Sequence, residues 1–247
     1  MLVDINPTAF DLKFRLLGFP IRVNPFFWLV MALLGQWIVT DPDYGFFYLP
    51  LWVVCGFASI LIHELGHAVA ARWFGSPSSI LLYGFGGLAM YESSPKAGWR
   101  RMVIALAGPA AGFALLAIVV ASDAVADWSK NGRIFQALAE FLYVMNLFWS
   151  LLNLLPIWPL DGGKVCREVL YMAGARRPDA TTYVISMVVA GAVLVLSLAA
   201  WSGRLPREVA EWIPFRPSLF TLLFFGFFIV QNYQLYQETN RRATWHD

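Results

Sequence analysis

The five residues HELGH at 63–67 place two of the chain's three histidines on either side of a glutamate. Positions i and i+4 of a helix share a face. His63 and His67 can therefore present imidazole nitrogens to one zinc ion, with Glu64 reaching the water there as general base. The motif lies in a long apolar run, where ionisable groups cost on the order of 2.5 to 3.5 kcal/mol each at mid-membrane. Zinc binding returns an apparent 10 kcal/mol or more, at order of magnitude. A metal accounts for the cluster better than hydrogen bonding between helices does.

A catalytic zinc usually takes three protein ligands and keeps one open position. The strongest candidate for the third is Asp161, in NLLPIWPLDGG at 153–163, where Pro156 and Pro159 interrupt a helix and Gly162 and Gly163 free the backbone beyond. Two other roles for Asp161 stay open at this level: capping a short helix that starts near Gly163, or forming a D-G turn. Asn146, Ser150 and Asn153 recur at i, i+4 and i+7 on one helix face. The first two suit hydrogen bonds between helices. Asn153, nearest Asp161 in the chain, can donate its amide to an oxyanion developing on a scissile carbonyl.

The elements that must position these groups are membrane helices. The 247-residue chain is 59% hydrophobic and 14% charged, outside the range of ordinary soluble domains. Runs long enough to span a bilayer, about 20 residues each, fall at roughly 24–40, 48–74, 103–122, 134–156, 183–202 and 218–235. None alternates as a membrane β-strand would. The expected fold class is an all-α polytopic membrane protein of about six transmembrane helices, forming a single domain over 1–247. Breakers mark the loops, among them DPDYG at 41–45, SSPKAG at 93–98 and GRLPREV at 203–209. The first twenty residues offer no small-residue cleavage site, so the first span is expected to stay in the mature protein.

With six spans, most basic residues gather on one side, including Lys13, Arg15, Arg22, Arg72, Arg100, Arg101, Lys164, Arg176, Arg177, Arg241 and Arg242. Only Lys130, Arg133, Arg204, Arg207 and Arg216 fall on the other. The richer side is the cytoplasmic one, so both termini are expected there, in a cell (inner) membrane. The second and fourth spans then run the same way, which brings His63, His67 and Asp161 to a similar, cytoplasm-facing depth. A net charge of +2 with scattered basic residues argues against a nucleic-acid partner. Cys55 and Cys166 form no recognisable disulfide or metal pattern and read as packing residues.

These residues resemble the site-2 protease family (M50) of intramembrane zinc metalloproteases. HELGH matches its HExxH motif, ALAGPAAG at 105–112 its AGP-containing helix, and NLLPIWPLDGG its Asn-x-x-Pro and Asp-Gly motif. FRLLGFPIRVNPFFWL resembles the family's lead into its first helix, and the likeness extends to about residue 175. The resemblance implies a compact six-span enzyme with a catalytic core at approximately 48–175 and accessory helices at 24–40, 183–202 and 218–235. One zinc ion per chain would be held by His63, His67 and Asp161, with Glu64 and Asn153 catalytic. Transmembrane protein segments within the lipid bilayer would be its substrates. ILLYGFGGLAMYE at 80–92 resembles the family's membrane-associated β loop, which presents extended backbone beside the active site. Such a strand suits the chemistry, because an unwound substrate needs partners for its freed N–H and C=O groups. The chain departs from many relatives at Gly112, where they carry Asn, and the Gly108 to Gly112 spacing also reads as a helix-packing motif.

Other functions fit less well. A membrane zinc protease completed by a downstream Glu would have to use Glu168, Glu208 or Glu211, none in a convincing helical motif. A metal transporter needs polar residues through several spans, and the last two are nearly free of them until Gln231 and Asn232. An inactive scaffold would be expected to lose Glu64, which is present.

Overall fold

The computed structural model describes residues 7–84, 86–91, 98–204 and 219–244. Most of the SSPKAG and GRLPREV loops, and with them Arg207, Glu208, Glu211 and Arg216, lie outside the described residues. The chain forms two compact units, the first made of residues 1–96 and 106–151 and the second of 97–105 and 152–247.

The first unit opens with a hairpin, β1 (Leu12–Leu16) and β2 (Phe19–Val23), joined at Leu17 and Gly18, both with positive φ. Alternation decides which face is buried. Phe19, Ile21 and Val23 are buried, whereas Pro20 is exposed and Arg22 half-buried. Asn24 then caps α1 (Pro25–Leu34), its side chain accepting from the Phe26 amide at 3.0 Å, with Pro25 at the first helical position, where its missing N–H costs nothing. α1 stops at Gly35, and a five-residue α2 (Gln36–Thr40) follows. Close packing explains the glycine at this point: a side chain at Gly35 would start 2.5 Å from the Trp52 ring, and the Trp52 indole donates to the Met31 carbonyl at 3.1 Å. The first expected span, 24–40, is thus two short helices.

α3 (Leu49–Trp73) carries HELGH in its C-terminal half. Strands β3 (Ser78–Tyr83) and β4 (Gly86–Tyr91) follow. The sheet order is β1-β2-β3-β4, antiparallel except for the parallel β2-β3 pair, in which Ile21 sits opposite Ile80 and Val23 opposite Leu82. The buried sheet face packs with Phe27, Met31, Ile60, Leu61, Leu65 and Ala68 in one apolar cluster that also takes in Phe141 and Met145. The expected fold of helices with one short hairpin is corrected to helices around a four-stranded sheet.

α4 (Gly98–Ala126) and α5 (Arg133–Asn153) each begin in one unit and end in the other. In the second unit, α6 (Asp161–Met172) is short and amphipathic, and α7 (Pro178–Trp201) packs along α8 (Leu219–Thr244). The start of α4 is tied to α6 by Arg101, which donates to Glu168 at 2.6 Å.

Four helices among the described residues are long and apolar enough to cross a membrane: 46–73, 98–126, 133–153 and 178–201. The expected count was six. The first expected span, divided at Gly35 into a ten-residue and a five-residue helix, falls short of that length. α8 has the length, 26 residues, but from its midpoint on it carries Gln231, Asn232, Gln234, Gln237, Glu238 and Asn240 before two arginines.

Candidate metal centre

The histidine pair is built by α3 alone. His63 and His67 are both buried, and their Nε2 atoms lie 3.2 Å apart with the rings edge to face. Two corners of a tetrahedral zinc site with bonds of about 2.0 to 2.1 Å are separated by about 3.3 Å, so the pair already has the spacing of two ligands on one ion. α3 achieves this against a very close neighbour. A side chain at Gly66 would start 2.4 Å from the Ala107 carbonyl oxygen, which sets how near α3 and α4 come.

Gly108 tests whether the pair fits a metal. A methyl group there would stand 2.2 Å from His67 Nε2 and 2.8 Å from His63 Nε2. The point where the two nitrogens converge is thus kept clear by the absence of a side chain on α4. Glu64, next along α3 and also buried, has a different neighbour: a methyl on Gly87 of β4 would meet its Cγ, Cδ and Oε1 atoms at 2.2 to 2.4 Å. The Glu64 carboxylate therefore rests directly on the backbone of an edge strand.

The second part comes from the irregular stretch 154–160 and the start of α6. The stretch is pinned at Trp158, whose amide donates to Ser186 Oγ and whose carbonyl accepts from Asn232 Nδ2, both at 2.8 Å. Asn232 is thereby a clamp on this loop. The glycine pair serves packing: side chains at Gly162 and Gly163 would collide with the Leu154 carbonyl at 2.2 Å and with Ile157 at 2.5 Å. Leu160 occupies the cap position of α6, with no side-chain cap, and Asp161 is the first helical residue. Asp161 is buried and accepts from Lys164 Nζ at 2.9 Å, one turn on.

Among the described residues, one group has the composition of a metal site. His63 and His67 in the first unit and Asp161 in the second, all buried, are the residues that could hold a metal ion. Two imidazoles and a carboxylate are a zinc-compatible donor set with room for a fourth position. Glu168 is engaged elsewhere, by Arg101. Asn153 ends α5 and is buried. Asn146 donates to Ser59 Oγ at 2.9 Å.

The family model for Peptidase family M50 matches residues 52–130 and 118–198. The chain belongs to peptidase family M50. Relatives include a zinc metalloprotease of Methanocaldococcus jannaschii, 31% identical over 159 residues, which are 64% of this chain and 44% of that protein. Stage IV sporulation protein FB of Bacillus subtilis is 31% identical over 147 residues, 59% of this chain and 46% of its own length. The chain thus spans about half the length of these curated relatives. The fold matches that of the site-2 protease from Methanocaldococcus jannaschii, with a TM-score of 0.56 at 20% identity, covering 92% of this chain and 95% of that one.

In this M50 chain, three residues at the site have roles that residue types did not announce. Gly108 was visible as part of AGP, but its clearance of the imidazole nitrogens is a matter of contact. Gly87 was one glycine of a loop. Lys164 follows Asp161 by three residues, a spacing that on a helix was the available signal. Gly108→Ala supplies the test of the metal centre. Alanine is the better helix former by about 1 kcal/mol, so the helix is expected to persist. Bound zinc, measured by elemental analysis of purified protein, is expected to fall on the order of tenfold or more, with no loss of helical signal by circular dichroism.

Proposed function

We propose that the chain is a zinc metalloendopeptidase that hydrolyses peptide bonds in or near the transmembrane segments of membrane proteins, acting as one domain over 1–247. The observation that carries this reading is the buried His63 and His67 pair, spaced as two ligands of one ion, next to a glutamate whose carboxylate lies on strand backbone. In the reading, these three residues hold one zinc ion per chain. When bound, zinc supplies Lewis acidity, which makes water nucleophilic near neutral pH and polarises the scissile carbonyl. Glu64 removes the water's proton and returns it to the leaving amine. The Asn153 amide donates to the oxygen on which negative charge develops. Lys164 fixes Asp161 through its ammonium group, as outer partners of metal-binding carboxylates do.

Substrate alignment falls to β4. The closing pair of a two-residue hairpin, here Tyr83 and Gly86, is hydrogen-bonded, and outward-facing pairs alternate from it. The N–H and C=O groups of Gly87 and Ala89 therefore point to the open edge of the sheet. A substrate strand added there would have its freed backbone groups paired and its peptide bond held beside Glu64.

The membrane reading includes α1–α2 and α8 as two further segments, six in all. The side richer in Lys and Arg, with both termini and the site's opening, is assigned to the cytoplasm of a cell membrane.

Reconstituted protein assayed on a transmembrane reporter tests the activity. Glu64→Gln is expected to keep its zinc while cleavage falls by on the order of 10² to 10⁴; cleavage at the parent rate would overturn the role of Glu64. In Gly87→Ala the new methyl displaces the Glu64 side chain, which is flexible, so stability changes little. Cleavage is expected to drop on the order of a hundredfold, the cost of a displacement of about 1 Å, with zinc content unchanged. Lys164→Met is expected to weaken zinc about tenfold in competition with a chelator, and Lys164→Arg to restore most of the affinity.

A further inference from the structure

The β1–β2 hairpin has a use that the proteolytic reading does not touch. Cross-strand partners in an antiparallel pair share a face. Lys13 lies opposite Arg22 and Arg15 opposite Pro20, so three basic side chains stand on the face away from the buried Phe19, Ile21 and Val23. Asp11 pairs with Arg22 at 3.3 Å, whereas Lys13 and Arg15 are exposed and have no salt bridge among the described residues. The three basic residues, with Pro20, Ser79 and Met90, line a shallow cavity of about 480 Å³.

Beside these charges the hairpin exposes apolar groups that a water-facing hairpin would bury. Phe10 is 85% exposed and Leu17, at the turn, 68%. The hairpin is also held at the end of a membrane helix. Arg72, in the last turn of α3, donates to the Leu17 carbonyl at 2.9 Å and stacks on the Phe19 ring. The next residue, Trp73, is 85% exposed, as tryptophans at a bilayer interface are. Cationic side chains and bare apolar ones thus meet where the spanning helix leaves the bilayer.

We propose that this face of the hairpin binds the headgroups of anionic phospholipids. A lipid meets both halves of the surface: its phosphate faces Lys13, Arg15 and Arg22, and its acyl region takes Leu17 and Phe10. Free phosphate would satisfy only the charges. The proposal rests on the chain lying in a membrane and is independent of peptide hydrolysis, so its test needs no cleavage assay.

Delipidated protein in a neutral detergent is titrated with phosphatidylglycerol or phosphatidylcholine, and bound lipid is counted by native mass spectrometry. The parent is expected to prefer phosphatidylglycerol. A basic residue at an anionic surface gains ~1 kcal/mol, about fivefold in affinity, so Lys13→Gln with Arg15→Gln is expected to lose roughly thirtyfold. Both residues are exposed, and the double variant is expected to melt with the parent in lipid-free detergent. The charge-keeping pair Lys13→Arg with Arg15→Lys is expected to bind as the parent does. Phosphatidylglycerol affinity unchanged in the glutamine variant overturns the proposal. Displacement of the lipid by excess inorganic phosphate also overturns it, by making the face an ion site.

Discussion

Everything at the centre depends on how closely the backbones of α3 and α4 approach. The two imidazole nitrogens converge at 3.2 Å, and the space they converge on is one in which a methyl on Gly108 would stand. A metal site inside an apolar bundle needs ligands that cannot swing away and a pocket that the neighbouring helix does not fill. Packing density in protein interiors leaves few voids of that size by accident. Here, missing side chains create the room: Gly66 lets α4 come near enough to confine the histidines, and Gly108 keeps that nearness from closing the site. Ala in place of either would favour the helix but collide, with the Ala107 carbonyl at Gly66 and with the imidazoles at Gly108.

A second constraint is the accounting of backbone polar groups where α5 ends. Each unpaired N–H or C=O in an apolar setting costs free energy comparable to a lost hydrogen bond, and the turn from Leu154 to Leu160 contains two prolines. The turn is stabilised by contacts from α7 and α8, with Ser186 and Asn232 serving the N–H and the C=O of one residue, Trp158. That fixed turn, with two glycines that allow helix backbone to lie against it, delivers Asp161 as the first residue of α6. α7 and α8, which bear none of the candidate ligands, thus hold the carboxylate in its place.

The chemistry was legible in the sequence because residue type and spacing nearly suffice for it. HELGH fixes its own geometry on any helix, and Asp161 stood out as an acid among breakers. The four long spans were legible by hydropathy, within a few residues at each end. The sheet was less so. LKFRL and FPIRV alternate, but the turn between them is Leu-Gly, with Leu17 at φ 51°, and leucine is a poor signal for a left-handed turn. The parallel pairing of β2 with β3 joins residues nearly sixty apart, and nothing local encodes it. Nor does hydropathy show that the 24–40 run divides into two helices at Gly35. What stayed hidden was contact: a glycine's role is set by what its missing side chain would have struck.

Gly112 shows how one departure from the family resemblance is accommodated. A side chain at this position would start 2.2 Å from Ser150 Oγ, so an Asn here would displace the serine. The room that glycine leaves on α4 is taken by a hydroxyl from α5. Ser150 and Asn146 lie one turn apart on that helix, and Asn146 reaches across to Ser59 on α3, itself one turn before His63. This level of the first unit is therefore polar, through groups from α5 and α3. A hydroxyl and an amide buried here cost on the order of 1 to 3 kcal/mol each wherever hydrogen bonds are left unmade. The Asn146 to Ser59 bond offsets part of that cost and ties α5 to the face of α3 that carries the histidines. Asn146 is thus better understood as a means of orienting α5 on the helix that carries the histidines, and Ser150 as the group that fills the space beside Gly112.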